Sequence, residues 1–285
     1  MSEKSAASGI NGDFKAGAII AAFIIIMSVI GIFYTPHDPY EMDSSRRFLP
    51  PGRAHLLGTD NFGRDVFSRV ISGGAHTLLI ALCTVAASAA AGTILGLLAS
   101  YAGAFVDDLV MRTIDIISSF PGLVVALAAV AIMGGGSLSL CAALTVLFIP
   151  SFTRVMRNGA LQYKHADFIL AERLLGARLP RIIFIHILPN IAHSLFTAAV
   201  MGLSSAILAE AAMSYLGLGI QPPAPSWGRM LAESQNFLFS APWCSLAPGA
   251  CILLSVLAFH YLGEGMRRIY SGLMRQGGAG LRPEY

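Results

Sequence analysis

The chain has 285 residues, 55% of them hydrophobic and 12% charged, with a mean hydropathy of +0.67. Soluble domains carry about twice that charge, so a fold built for water is excluded, and a net charge of +3 gives no nucleic-acid surface. The three lysines (Lys4, Lys15, Lys164) follow no glycine-rich loop, so the chain has no GxxxxGK(S/T) site for ATP.

A helix needs about 20 apolar residues to cross about 30 Å of hydrocarbon. The first such run is Gly17–Tyr34, preceded by Lys15. The TPHDPYE that follows offers no small-x-small cleavage site, so the run is expected to stay as an anchor rather than leave as a signal peptide. The second, about Thr77–Tyr101, is rich in Ala, Gly and Ser, the residues that let helices approach closely in lipid. The third, about Thr113–Met133, is interrupted by Pro121-Gly122. The remaining three run about Leu138–Phe152, Ile191–Leu218 and Leu246–Leu262. The expectation is an all-α polytopic membrane protein of six transmembrane helices. None of the four cysteines (Cys83, Cys141, Cys244, Cys251) has metal-ligand spacing. Three lie in apolar runs, where a thiol behaves as a small hydrophobe, and neither metal nor cofactor is expected.

Six spans put both termini on one side, and basic residues choose the side. With the termini inside, the inner segments hold 13 Lys and Arg against 6 outside (Arg46, Arg47, Arg53, Arg64, Arg69, Arg229). Five of those six lie before the second span, offset by Asp38, Glu41, Asp43, Asp60 and Asp65. The division is an inner tail 1–14, a first span 15–35, an outer loop 36–76, a five-helix core 77–268 and an inner tail 269–285. The outer loop contains GTDNFGRDVFSRVISGG, with Phe62, Val66, Phe67, Val70 and Ile71 on one helical face. Asp65 and Arg69 lie on the other face in the favourable ion-pair order, and Thr59 or Asp60 can cap the start. A short helix in the outer membrane interface is expected there.

The most informative stretch lies within 154–190, inside the core. It carries six basic residues (Arg154, Arg157, Lys164, Arg173, Arg178, Arg181) in a chain that is otherwise mostly membrane, and so offers a docking surface. Phe168, Leu170, Ala171, Leu174 and Leu175 form an apolar helical stripe that Gly176 terminates. Leu179-Pro180 starts a second helical stretch that ends at Leu188-Pro189.

Here the chain resembles the binding-protein-dependent ABC transporter permeases, whose coupling loop carries an E-A-A segment, a glycine and an I-x-L-P at this spacing. Gly176, Leu188 and Pro189 match. The E-A-A positions read Leu170-Ala171-Glu172, with Asp167 nearby, and the isoleucine of I-x-L-P reads His186. Three further segments are similar to the second permease subunit of dipeptide, oligopeptide and nickel importers: residues 55–73, 207–238 and 246–268.

The resemblance implies a type I importer fold with a cytoplasmic coupling helix in a bacterial inner membrane. It implies a second permease subunit, two cytoplasmic ATPases and an extracytoplasmic binding protein as partners, besides membrane lipid. Energy then comes from the ATPases, and this chain forms half of a pore rather than an enzyme. A helix seated in the ATPase cleft moves with it and alternates pore access. Peptides are the first choice of cargo, with nickel or a metal–chelator complex as the alternative.

Three residues are candidates for pore or gate. Glu210 reads as mid-way along the fifth span, where a carboxylate is costly. Pro121 breaks the third span, as cavity-lining breaks do in transporters. Trp227 reads as an outer-interface anchor or a lip over the pore exit. His260 and Glu264 share a helical face but are too few for a metal, and Glu264 is expected beside Arg267 and Arg268. Asp115 is expected to pair with Arg112. An ion-coupled secondary transporter is a distant alternative, since Glu210 is nearly alone at depth. An intramembrane protease has only the GGGS at 134–137 to offer.

Overall fold

A computed structural model describes the backbone of residues 2–278 and the side chains of 12–270. Its regular elements are helices, and among the described residues the only β-pairing is a single bridge between Thr59 and Asp65. The helices are α1 (Ser2–Phe33), α2 (Val66–Tyr101), α3 (Ala104–Ser118), α4 (Gly122–Met133), α5 (Ser137–Tyr163), α6 (Asp167–Leu174), α7 (Leu179–Arg181), α8 (Leu188–Tyr215), α9 (Trp227–Ser234) and α10 (Trp243–Gly278). Among the described residues, five stretches are long and apolar enough to cross a membrane. The bent pair α3–α4, turned by 92° at Pro121, makes a sixth if counted as one span.

Long apolar helices with small-residue faces settle the packing. Along α2, Ser88, Gly92, Gly96 and Ser100 recur every four residues and lie on one side. A Cβ on Gly96 would come within 2.7 Å of Thr153 O on α5, and one on Gly92 within 2.9 Å of Thr153 N. Ser88 Oγ donates to Thr145 O at 3.1 Å and Ser100 Oγ to Arg157 O at 3.3 Å, completing a close α2–α5 seam. Helix α1 lies along α10, and α8 packs against α2, α5 and α10. The main apolar core joins Ile24, Ala81, Val85, Phe152, Ile207 and Trp227.

The structure corrects several expectations. No separate interfacial helix exists: residues 66–76 are the opening turns of α2, a helix of 36 residues or roughly 54 Å. Asp65, not Thr59 or Asp60, caps it, accepting from Ser68 N at 2.8 Å, and Asp65 pairs with His55 rather than Arg69. The irregular stretch after α1 therefore gives way to helix at Val66. Helix α5 runs through Arg154 and Arg157 to Tyr163, so the basic segment begins later than residue 154. Asp115 pairs with Arg154 at 2.8 Å, while Arg112 pairs with Asp108, one turn earlier, at 2.7 Å. Glu264 does sit beside Arg267 and Arg268, at 2.7 and 3.1 Å.

At the end of the bundle opposite the 164–187 segment, buried charges clasp the loop before α2 to α9. Arg64 Nε lies 2.6 Å from Asp60 Oδ2, and its Nη2 lies 2.7 Å from Glu233 Oε2. Arg69 reaches the same Glu233 oxygen at 3.1 Å and donates to Pro39 O at 3.2 Å. Arg229 meets the other Glu233 oxygen at 3.2 Å. Arg64 and Arg69 are both almost wholly buried. Charges at that depth persist only when paired and hydrogen-bonded. This network is why the supposed polar face of residues 64–69 turns inward.

Candidate functional site

The segment between α5 and α8 is built by short-range rules. Ala166 is extended and leads into α6, with Asp167 in the first turn and Arg173 in the last, each complementing the helix dipole. The helix stops in a full Schellman turn: Ala177 N donates to Glu172 O and Gly176 N to Arg173 O, both at 3.0 Å. Gly176 takes φ +79°, a conformation that costs another residue about 1–2 kcal/mol. Pro180 opens α7, where its missing N–H is harmless.

The expected break at Leu188-Pro189 does not occur. Residues Ile182–Ile187 form a π-helical stretch that runs directly into α8, with Leu188 N bonded to Ile183 O five residues back. Pro189 has no N–H for an α-type bond, and the wider turn just before it absorbs that loss without ending the helix. The 164–187 segment is thus continuous with the spanning helix α8.

Its anchor is a small core of its own. Ile169, Ile182 and Ile187 are buried with Met156, Ala160 and Ile191, backed by Leu97, Tyr101 and Leu195. The apolar stripe faces the other way. Leu174 is 89% exposed and Leu175 83%, with Phe168, Leu170 and Leu179 also exposed. Ile169, the residue that holds α6 down, lies outside the expected stripe, and nothing in the local spacing marks it as the buried one.

Three of the six basic residues are tied to neighbouring helices. Arg157 grips Asp107 with two bonds of 2.5 and 2.6 Å, Arg154 holds Asp115, and Lys164 donates to Ser100 O at 2.6 Å. Arg173, Arg178 and Arg181 remain exposed on the knob. Two of the departures from the E-A-A and I-x-L-P patterns face each other: His186 Nε2 lies 3.6 Å from Glu172 Oε1. Asp167 and Ala171 are exposed on α6, and Pro189 is exposed at the start of α8.

The three membrane candidates occupy different settings. Glu210 is wholly buried, five residues before the end of α8 rather than at its middle. It accepts from Ser214 Oγ at 2.7 Å, with the buried Thr77 and Ser226 beside it. Trp227 is neither interfacial anchor nor lip. It is fully buried, donates from Nε1 to Val70 O at 2.9 Å, and its N–H meets Thr77 Oγ1 at 3.4 Å. Glu210 and Trp227 therefore belong to one polar knot that joins α2, α8 and the head of α9. Pro121 is exposed at the α3–α4 elbow, beside an open cleft of about 450 Å³ that Ser118, Phe120, Leu147, Pro150, Ser151 and Arg154 help to line.

Comparisons with known proteins agree with this architecture. Residues 92–275 match the family described as the binding-protein-dependent transport system inner membrane component. The chain is 38% identical over 251 residues to the dipeptide transport system permease protein DppC of Alkalihalophilus pseudofirmus, covering 88% of this chain and 83% of that one. It is 38% identical over 257 residues to the di/tripeptide transport system permease protein DppC of Pseudomonas aeruginosa, covering 88% and 85%. With the glutathione transport system permease protein GsiD of Pectobacterium atrosepticum the identity is 37% over 254 residues, covering 87% and 84%. In fold it is similar to a chain of the MetNI methionine ABC transporter, solved in inward-facing conformations. The TM-score is 0.58 at 20% identity, covering 70% of this chain and 95% of that chain.

Proposed function

Because the chain belongs to the binding-protein-dependent transport system inner membrane component family, we propose that it forms one half of the pore of an ATP-driven peptide importer. The observation that carries the coupling role is the 164–187 knob: anchored by Ile169, Ile182 and Ile187, it presents Leu174 and Leu175 to solvent. Exposed leucines on an ordered helix end call for a partner surface. A nucleotide-binding subunit fits, since this chain has no phosphate-binding motif of its own. Asp167, Leu170, Ala171, Glu172, Leu175 and Gly176 make the face or set its angle. Leu188 and Pro189 join it to α8.

The excess of basic residues on the knob side supports a cytoplasmic position for that side and for both termini. The clasp of Asp60, Arg64, Arg69 and Glu233 then faces the compartment from which a binding protein delivers cargo. ATP-driven closure of the paired ATPases moves the knob as a rigid body, and α8 carries the motion into the membrane because no break separates the two. A second permease subunit supplies the other half of the path. Glu210 and Trp227 act as structural members of the moving unit rather than as cargo contacts, since both are buried within this chain. Pro121 sets the elbow beside the open cleft, the stretch of this chain best placed to meet cargo.

The peptide assignment rests on the relatives named above. The test is uptake of a radiolabelled dipeptide by cells expressing the whole transporter, with chain deletion and Leu174→Asp/Leu175→Asp as comparisons. Uptake lost in both, with the double variant still in the membrane but no longer co-purifying with ATPase subunits, is the expected result. Uptake of nickel but no dipeptide would overturn the cargo and leave the machinery.

A further inference from the structure

Away from the knob and the clasp, His37, His55 and Asp65 come together where the loop after α1 meets the head of α2. His55 Nδ1 lies 2.9 Å from Asp65 Oδ1, and both side chains are buried. The His37 ring sits against the His55 ring with centroids 4.7 Å apart. One donor atom from each of the three residues lies within 4.8 Å of the other two. A hydrogen bond accounts for the His55–Asp65 contact, and the second imidazole is held against that pair by bonds of its own.

The three residues are also fixed by bonds outside the cluster. Asp65 Oδ2 accepts from Ser68 N at 2.8 Å, leaving Oδ1 to face His55. His37 is tied twice, by its backbone N to Ser68 Oγ at 3.1 Å and by its Nε2 to Ala54 O at 2.8 Å. A ring nitrogen bonded to a backbone carbonyl while the other stays open is the support that metal-binding histidines commonly have. We propose that His37, His55 and Asp65 bind one divalent transition-metal ion, of the zinc or nickel class, that clamps the 37–55 loop to the start of α2.

Two imidazoles and one carboxylate select such ions over magnesium or calcium, which take oxygen ligands. A tetrahedral site with bonds of about 2.1 Å needs donors about 3.4 Å apart. The buried pair already lies closer than that, and half-exposed His37 is the side chain free to close the remaining distance. Exposure on the His37 side gives the ion a way in and leaves a position for water. The ion is a resident clamp rather than cargo, because its carboxylate is the cap of α2.

The test uses the detergent-purified transporter carrying no polyhistidine tag, stripped with EDTA and titrated with Zn(II), with Mg(II) as control. Co(II) serves as the spectroscopic probe. The expected result is one tight equivalent per copy of this chain, visible Co(II) absorption bands, and affinity at least tenfold weaker in His37→Ala. His55→Ala and Asp65→Asn should weaken it as much, while His260→Ala, outside the cluster, should not. Should the buried variants fail to fold, His37→Ala decides alone, since it leaves the α2 cap in place. Equal affinity in wild type and His37→Ala, or no Co(II) bands, overturns the proposal. Neither readout depends on transport, so the proposed function stands or falls separately.

Discussion

The two ends of this molecule solve the same problem, holding an irregular segment onto long helices, with opposite chemistry. The knob is held by buried isoleucines and a glycine turn, whereas the clasp is held by three arginines sharing two carboxylates. Apolar anchoring is tolerant, because each contact is weak and many neighbours share it. A buried ion network is not, because removing one partner leaves the others charged and unpaired. Under the proposed function, the difference suits an end that meets a moving partner and an end that must keep its shape.

The sharpest way to break the comparison is at Glu233. Glu233→Ala leaves Arg64 and Arg69 buried with Asp60 as the one carboxylate they still share, and a loss of about 3–5 kcal/mol is expected. Thermal unfolding in detergent would read it, together with poor accumulation in the membrane. A small shift there would mean the arginines find other partners. Ile169→Ala comes next, at about 2–4 kcal/mol for an isoleucine with no exposure. That loss should be confined to the knob, seen as faster amide exchange over 164–187 with α1 and α10 unchanged.

Gly96→Val tests the α2–α5 seam. Its Cβ would meet Thr153 O at 2.7 Å, so the helices must separate, at an expected cost of about 1–3 kcal/mol read from the unfolding midpoint. Gly176→Ala should cost about 1–2 kcal/mol locally by straining the Schellman turn, and it should reduce ATPase coupling more than folding. Smallest in stability is Leu174→Ser, within about 0.5 kcal/mol because the side chain is exposed. If the knob is the docking face, that variant still loses transport, which separates the apolar surface from the apolar anchor.

The knob was the most legible part of the chain. Its helix, the glycine stop at Gly176 and the restart at Leu179-Pro180 all follow from preferences acting within a few residues. The stripe's helical spacing was legible but carries no direction: apolar residues at that spacing usually face inward, and here Ile169 does so while Leu174 and Leu175 face out. The basic count was similarly half right. Arg154, Arg157 and Lys164 look like surface charge in one dimension, yet they meet Asp115, Asp107 and Ser100 O from other helices.

By itself the sequence determined the membrane class, the approximate spans, the bend at Pro121 and the helix–glycine–helix segment after α5, because hydropathy and turn chemistry are local. Only the tertiary structure decided that Trp227 is a core residue bonded to Val70, 157 positions away, and that Arg64 shares Glu233 across 169 positions. It also decided that Glu210 lies in a knot near the end of α8 and that His37 meets His55. Such partners come from helices crossing in space, and no spacing along the chain encodes where two helices cross.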